Sequence, residues 1–217
     1  MTEDNSSALA ATLREAESHL SRVDPVLAPL IARHGPCRLG ARARDPFHIL
    51  CTSIISQQLS TKAAQTIQGR VEALVKAGRR LQPAHFARVR HASLRRCGLS
   101  NAKARWIVEI ARRVRAGEFS FDALDRLDDE PAIEMLDALP GIGRWSAEMY
   151  LMFALDRLDI FAMDDVGLRR GVNRLYARGR KLGDRRTLAI TRAWAPYRSV
   201  ASWYLWRLGD EEPGNWA

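Results

Sequence analysis

The sequence predicts an all-α fold, and three observations lead to this prediction. Apolar residues recur at helical spacing along most of the chain, as Leu13, Ala16 and Leu20 do near its beginning. Capping residues, prolines and glycines interrupt this pattern at short intervals, which indicates about ten helices joined by short connections. The alternation of apolar and polar residues between turn residues, which is typical of strands, is almost absent from the sequence.

Capping signals place the helices of the N-terminal half. Asp24-Pro25 and Asp45-Pro46 each combine an N-cap residue with a proline in the first turn, an arrangement that begins helices. The segment after Asp45, FHILCTSIISQQ, is almost wholly apolar, so we expect a buried helix there. The expected starts of the other helices in this half are Ser60, Pro83, Ser93 and Ser100.

The C-terminal half continues in the same way. A helix is expected in PAIEMLDAL, and after it Pro140, Gly141 and Gly143 predict a tight turn before the helix RWSAEMYLMFAL. The remaining helices are expected in DDVGLRRGVNRLYARG, RRTLAITRAWA and PYRSVASWYLWRLG. We find no low-complexity linker and no long-period repeat, so we expect residues 1–217 to form a single unit.

The charge of the chain favours a polyanionic partner. It has 34 Lys and Arg against 25 Asp and Glu, a formal net charge of +9, although many basic proteins bind no polyanion. Acidic residues dominate from 122 to 137, whereas basic residues dominate after Asp165. The latter are Arg169, Arg170, Arg174, Arg178, Arg180, Lys181, Arg185 and Arg186, with Asp184 as the one acid among them. We therefore expect a basic surface near the end of the chain.

Several classes of protein are disfavoured. Cys37, Cys51 and Cys97 are far apart without a Cys-x-x-Cys motif, which argues against a disulfide framework, a metal site and an iron–sulfur cluster. The five histidines show no metal-binding spacing. No signal peptide and no bilayer-spanning apolar run are present, so we expect a cytoplasmic protein that is not bound to membranes. We also expect a monomer.

The turn at 140–143 is a candidate binding site for phosphate. Glycines expose their backbone N–H groups, and the helix that follows begins with unpaired donors at the positive end of its dipole. Such a turn binds phosphate without sequence preference. An ordinary helical connector that uses glycine as a cap explains PGIG equally well.

The context of this turn resolves that choice. LPGIGRWSA, followed by Asp165 at the start of the next helix, closely resembles the signature of the helix-hairpin-helix (HhH-GPD) DNA glycosylase superfamily. Further segments that resemble this family, in the right order, are IISQQLSTKAA (54–64), CGLSNAKARWIVEIA (97–111) and APYRSVASWYLW (195–206). The resemblance spans roughly residues 45–208 and is greatest to the 3-methyladenine DNA glycosylase II family.

The resemblance implies a two-lobed helical fold with the active-site cleft between the lobes. The central helical lobe would comprise residues from about 45 to 130. The second lobe would combine residues 1–44 with about 131–217. It would carry both the hairpin, 136–150, and the catalytic aspartate.

The resemblance also implies a reaction. Family members that cut the DNA strand have a lysine nucleophile where this chain has Trp145, and an indole cannot form a Schiff base. It therefore implies a monofunctional enzyme that hydrolyses the N-glycosidic bond of a flipped-out alkylated purine of the 3-methyladenine type and leaves an abasic site. A glycosylase for an oxidised or deaminated base, or a non-catalytic module that binds DNA damage, are the alternatives.

An alkylated purine carries a positive charge that aromatic faces attract. The residues that the resemblance implies for the base pocket are Trp145, Trp206, Met149 and Tyr150. Met149 stands where the family often has an aromatic residue, which implies weaker stacking on that side.

Asp165 is the implied catalytic residue. FAMDDVGLRRGV has two adjacent acids, and either of them alone would be interpreted as an N-cap. The spacing from the hairpin matches Asp165 to the catalytic aspartate of the family, which stabilises the developing positive charge on the sugar. We assign Asp164 to capping or support.

The resemblance further implies how double-stranded DNA is held. Gln57, Gln58 or Leu59 would fill the space that the flipped base leaves, with Gln58 as first choice; alternatively the glutamines satisfy carbonyl groups at a helix end. The residues implied in phosphate contacts are Gly141, Gly143, Arg144 and Lys103. The main-chain carbonyls of Asp137, Leu139 and Ile142 would bind Na⁺ or K⁺ when DNA is present, and no cofactor is expected in catalysis.

Overall fold

The computed structural model describes residues 3–40, 45–78 and 80–210, and in these ranges every regular element is a helix, as predicted. The α-helices are α1 (Glu3–Val23), α2 (Ala28–His34), α3 (Pro46–Ser56), α4 (Thr61–Val75), α5 (His91–Arg96), α6 (Asn101–Arg115), α7 (Phe121–Asp125), α8 (Asp129–Asp137), α9 (Arg144–Ala154), α10 (Val166–Ala177), α11 (Asp184–Arg192) and α12 (Arg198–Asp210). A 3₁₀-helix, Pro83–Phe86, precedes α5. None of these helices is both long and apolar enough to cross a bilayer.

Most helix starts lie where the capping residues predict them. Asp45 accepts a hydrogen bond from the His48 amide at 3.1 Å, and Ser100 accepts one from the Lys103 amide at 3.2 Å. Ser60 caps α4 in the same way. These side chains satisfy backbone donors that the first helical turn leaves without a partner, which is why the local sequence predicts them well.

Two predicted starts are wrong. Asp24 accepts a hydrogen bond from the Leu27 amide, but it does so in a turn, and α2 begins only at Ala28. Ser93 lies inside α5, which begins at His91. In both cases the residue type is a good cap, but the polypeptide enters the helix at another position.

The chain divides into two compact units, and the boundary falls within α9. The first unit comprises residues up to 43 and from 151 onward, and the second comprises residues 44–150. The hairpin between α8 and α9 therefore belongs to the second unit, whereas the sequence placed it with the catalytic aspartate after about 131. The contacts of Gly141 with Trp106 of α6 and Gln57 explain this difference.

The first unit is built on α1, α2, α10 and α12. Asp24 is buried, and its Oδ2 accepts hydrogen bonds from the Tyr176 hydroxyl at 2.6 Å and from the Trp194 indole at 2.7 Å. A carboxylate taken out of water needs such donors. Burial, together with Asp24, raises the pKa of Tyr176 well above its usual value.

The second unit is built around α3 and α6. The apolar helix α3 is buried, as predicted, through Phe47, Leu50, Cys51, Ile54 and Ile55. The face of α6 that lies in the core consists of Ala104, Ile107, Ile110 and Ala111. Because α3 and α6 pack together, the loop that follows α3 is held next to α6 and the hairpin.

Candidate active site and nucleic-acid interface

The hairpin between α8 and α9 requires a glycine at position 141. Gly141 has φ +82°, a conformation that L-residues with a side chain rarely adopt. A Cβ atom there would lie 2.2 Å from Cε3 of Trp106, so the indole leaves no space for a side chain. The Gly141 carbonyl also accepts a hydrogen bond from Nε2 of Gln57 at 2.9 Å. The turn is thus fixed both by its own backbone and by its neighbours.

The hairpin leads directly into the exposed start of α9. Gly143, Arg144 and Trp145 are all exposed. The first amides of a helix have no partner within the helix, and the dipole places partial positive charge at the same end. This arrangement can bind a phosphate group through the main chain.

Arg144 is engaged in ion pairs at this helix start. Its guanidinium donates two hydrogen bonds to Glu130, and its Nε donates one to Glu148 at 3.1 Å. Arg144 lowers the pKa of Glu130 from its ordinary value. The Arg144–Glu130 pair is about half exposed, and such surface pairs contribute roughly 0–1 kcal/mol, so a DNA phosphate could replace Glu130 at little cost.

Lys103 has a role that the sequence did not reveal. Its Nζ donates hydrogen bonds to the carbonyl oxygen atoms of Ile55, at 3.0 Å, and of Gln57. A positive charge at the C-terminal end of α3 is also favourable for the helix dipole. Partial burial lowers the pKa of Lys103. The ammonium group therefore holds the end of α3, and the DNA contact predicted for it stays a prediction.

The three residues predicted to fill the space that the flipped base leaves in the duplex differ in their environments. Gln57 is half-buried and donates to Gly141, so it satisfies a carbonyl of the hairpin and not one at the end of its own helix. Gln58 is exposed and has φ +57°, which is uncommon for a residue with a side chain. Leu59 is 39% exposed. Gln58 and Leu59 therefore combine exposure with a loop that Lys103 and Gln57 hold in place.

Asp165 lies at the start of α10, where donors from α10 and α12 hold its carboxylate. Its Oδ1 accepts hydrogen bonds from the Leu168 amide at 2.8 Å and from the Trp206 indole at 3.1 Å. The helix dipole favours the ionised carboxylate at this position. Asp164 is exposed, and of the two roles assigned to it, capping is wrong, because Asp165 is the N-cap, while support stays a prediction. Asp165 thus both caps the helix and lies beside an aromatic ring.

Two residues that the sequence did not single out complete the surroundings of Asp165. Phe153, which is 44% exposed, lies with its ring centroid 5.6 Å from that of Trp206 at an interplanar angle of 30°. A Cβ atom on Gly167 would lie 3.1 Å from Asp165 Oδ1 and 3.2 Å from Trp206 Cδ1. A glycine in the first turn of an otherwise regular helix was a signal for this close approach, whereas Phe153 resembles any apolar helix residue.

The remaining pocket candidates lie on α9. Trp145 is 42% exposed, and Met149, one turn further on, is half-buried. Residues four apart share a helix face. Tyr150 is 2% exposed and stacks on Phe121 with the ring centroids 6.3 Å apart, and burial raises its pKa. The pocket roles of Trp145, Met149 and Tyr150 stay predictions, and Tyr150 contributes to the core of the second unit.

The proposed cation ligands are main-chain carbonyls at the end of α8 and in the turn. The Leu139 carbonyl accepts a hydrogen bond from the Ile142 amide at 3.2 Å, which uses one of its two acceptor positions. Carbonyl oxygen atoms are suitable ligands for monovalent cations. The carbonyls of Asp137, Leu139 and Ile142 are compatible with such a role, which stays a prediction.

Comparison with known proteins gives concordant matches. A family described as HhH-GPD superfamily base excision DNA repair protein matches residues 51–196. DNA-3-methyladenine glycosylase 1 of Schizosaccharomyces pombe is 32% identical over 203 residues, which cover 92% of this chain and 89% of that protein. The putative DNA-3-methyladenine glycosylase YfjP of Bacillus subtilis is 31% identical over 74% of this chain and 58% of its own length.

Solved structures agree with the sequence matches. The DNA-3-methyladenine glycosidase of Bacillus halodurans superimposes with a TM-score of 0.81 at 38% identity, covering 91% of each chain. The S. pombe 3-methyladenine DNA glycosylase in complex with abasic DNA gives a TM-score of 0.79 at 31% identity, covering 90% of this chain and 97% of that one.

Proposed function

Because this chain belongs to the HhH-GPD superfamily of base excision DNA repair proteins, we propose that its Asp165 site excises alkylated purines of the 3-methyladenine type from double-stranded DNA. The observation that carries this proposal is the carboxylate of Asp165, which the Leu168 amide and the Trp206 indole hold at the start of α10. The names of the relatives given above, which refer to 3-methyladenine, support the choice of substrate.

Asp165 would act on the sugar of the flipped nucleotide. As the bond between base and sugar breaks, positive charge develops on the sugar, and a fixed carboxylate stabilises it. The two donors to Oδ1 fix the orientation of the carboxylate before the reaction begins. The same carboxylate can orient the water molecule that attacks the sugar. A positively charged alkylated purine is a good leaving group, so the site needs no acid to protonate it.

Aromatic faces next to Asp165 would favour a charged base. The Trp206 indole N–H donates to Asp165, and the Trp206 ring lies against Phe153. An aromatic ring attracts a desolvated cation by roughly 2 kcal/mol. Trp145, Met149 and Tyr150 keep their predicted pocket roles as part of this proposal.

The second unit would hold the DNA through the elements around the hairpin. The start of α9 would bind a phosphate through Gly141, Gly143 and neighbouring amides, with Na⁺ or K⁺ on the turn carbonyls as a bridge. Gln58 or Leu59 would fill the space that the base leaves in the duplex. We propose that the protein acts in this way as a monomer.

The substrate is tested by a panel of duplexes with different lesions. We expect release of 3-methyladenine and 7-methylguanine from methylated DNA, and little release of uracil or 8-oxoguanine. Chromatography of the released bases under single-turnover conditions measures this. Release of an oxidised or deaminated base in preference to methylated purines would contradict the proposed substrate, and binding without any release would contradict the enzymatic function.

Borohydride is expected to trap no covalent adduct between the enzyme and DNA during excision. Trapping needs a Schiff base between a lysine and the sugar, and Trp145 stands where a lysine would be required. Denaturing gel electrophoresis of the borohydride-treated reaction measures the adduct, and the product strand should stay intact until alkali cleaves it. A trapped adduct together with strand cleavage in the absence of alkali would refute the monofunctional assignment.

Replacement of Gly167 by alanine is expected to slow excision roughly tenfold without loss of stability. The new Cβ atom must displace Asp165 or Trp206 by a few tenths of an ångström, and a displacement of about 1 Å at a reacting group costs roughly 100-fold. In a helix, alanine is more stable than glycine by roughly 0.5–1 kcal/mol. Single-turnover rates and the Tm measure the two effects.

The matched control for Gly167→Ala is Gly69→Ala in α4, where no atom lies within 4 Å of the new Cβ atom. This control should keep the parent rate. Equal rates for Gly167→Ala and the parent would show that the close packing around Asp165 does not matter for the reaction.

A further inference from the structure

The first unit has a basic surface that the site described above does not use. It consists of Arg178, Arg180, Lys181, Arg185 and Arg186, all exposed, between the end of α10 and the first turn of α11. We call it the α10–α11 basic surface. Among the described residues none of these five side chains has a carboxylate within ion-pair distance. The one acid of this segment, Asp184, pairs with Arg169 instead.

The α10–α11 basic surface is tied to the first turn of α10. Arg169 forms an ion pair with Asp184 and donates a hydrogen bond to the Leu182 carbonyl at 3.3 Å. The Asn173 side chain accepts a hydrogen bond from the Leu182 amide at 2.9 Å. The Arg169 amide in turn bonds to the Asp165 carbonyl at 3.0 Å. The start of α11 is therefore held beside the helical turn that begins at Asp165.

This attachment places Arg185 and Arg186 near the first turn of α10, whereas Arg178 follows Asp165 by 13 residues, which is about 20 Å along the helix axis. Arg169 follows Asp165 by four residues, which is about 6 Å along the helix axis. In duplex DNA, phosphates of one strand follow each other at about 3.4 Å along the axis. Cations held between these two ends of α10 would reach phosphates within about six nucleotides on one side of a nucleotide held at Asp165.

Other arginines of the protein form ion pairs with carboxylates, unlike those of the α10–α11 basic surface. Arg112 forms ion pairs with both Glu109 and Glu118, and Arg144 pairs with Glu130. Their charge is offset by carboxylates of the protein. The charge of the α10–α11 basic surface is not offset in this way, and arginine and lysine are the main phosphate-binding side chains of DNA-binding proteins.

We propose that the α10–α11 basic surface binds the DNA backbone on one side of the nucleotide that is held at Asp165. The proposal rests on the proposed function, because it takes Asp165 as the point where the target nucleotide is held. It adds a second phosphate-binding surface, on the first unit, to the hairpin of the second unit. These contacts would add affinity without sequence preference.

The salt dependence of DNA binding tests this proposal. Two variants remove two charges each: Arg180→Gln/Lys181→Gln and Arg185→Gln/Arg186→Gln. Their dissociation constants are measured by fluorescence anisotropy, at several salt concentrations, with a duplex that contains a tetrahydrofuran abasic analogue. The slope of log K against log salt should become shallower by about 0.9 for each phosphate that the variant no longer neutralises, or about 2 for a double variant.

The control variant is Arg14→Gln/Arg22→Gln, which removes two exposed charges from α1 of the same unit. It changes the net charge equally, so it shows the effect of total charge alone. We expect its slope to equal that of the parent. Equal slopes for all variants would overturn the proposal and would indicate a surface that is only solvated.

Shortened duplexes locate the binding surface on the DNA. Trimming the DNA to one base pair on one side of the abasic analogue should abolish the difference between the parent and the variants, whereas trimming the other side should preserve it. If the parent and the variants still differed in salt dependence on duplexes trimmed on either side, the proposal would be overturned, because the difference would not depend on phosphates that flank the abasic analogue.

The binding experiment tests the α10–α11 basic surface, and the substrate panel tests the proposed function, so failure of one proposal can be distinguished from failure of the other. Altered slopes in a protein that releases no base would refute the proposed function and leave the DNA-binding surface intact. Base release with unchanged slopes would refute only this surface.

Discussion

Replacing Asp165 by asparagine is expected to lower the single-turnover rate of base excision by about 10²–10³-fold or more, because it removes the negative charge that stabilises the sugar in the transition state. Asparagine keeps an oxygen atom that can accept from the Leu168 amide and the Trp206 indole, and it is as good an N-cap as aspartate. The fold and the DNA affinity should therefore change little. The rate of base release at saturating enzyme and the dissociation constant for abasic-analogue DNA measure the two effects.

The adjacent acid provides the control. Asp164 is exposed, and α10 is capped by Asp165 instead. Asp164→Asn makes the same chemical change one residue away and should keep the excision rate within about twofold of the parent. If Asp165→Asn retained the parent rate, the catalytic assignment would be wrong. If both variants lost activity equally, a general loss of charge near α10 would explain the result better than catalysis by one carboxylate.

The second large effect is expected from Gly141→Ala, which should destabilise the protein by about 2–5 kcal/mol and weaken DNA binding. A left-handed backbone costs about 1–2 kcal/mol for a residue with a side chain, and a side chain forced into a filled space costs about 1–3 kcal/mol more. The Cβ atom would lie 2.2 Å from the ring of Trp106. The turn must then shift, and the hydrogen bond from Gln57 to the Gly141 carbonyl is lost.

Two further variants separate the cost of backbone strain at a positive φ from the cost of the steric clash with Trp106. Gly117 has φ +74°, and no atom lies within 4 Å of the place that a Cβ atom would occupy, so Gly117→Ala adds only backbone strain. In a Trp106→Ala background the collision at position 141 is removed, and Gly141→Ala should there cost about as much as Gly117→Ala. Denaturant unfolding measures these differences. If Gly141→Ala in the parent cost no more than Gly117→Ala, Trp106 would not restrict the hairpin.

The loop from Gln57 to Leu59 and the nearby Lys103 show why some roles could be predicted and others could not. The segment from Gln57 to Leu59 was identified by its resemblance to the family, and its exposed residues are compatible with that prediction. Lys103 was assigned to the DNA, but its ammonium group binds carbonyls at the end of α3, 46 and 48 residues earlier in the chain. No local pattern contains that pairing, because it depends on how α3 packs against α6.

The sequence by itself determined the all-α class, most of the helix starts and the glycine turn, since these depend on interactions among residues a few positions apart. The choice of Asp165 depended on the resemblance to the family. Only the tertiary structure decided which groups hold the site. Trp206 donates to Asp165 across 41 residues, and Gln57 donates to Gly141 across 84. It also decided that the hairpin belongs to the unit of residues 44–150. Packing brings such residues together, and the spacing of residues along a chain does not specify which helices pack.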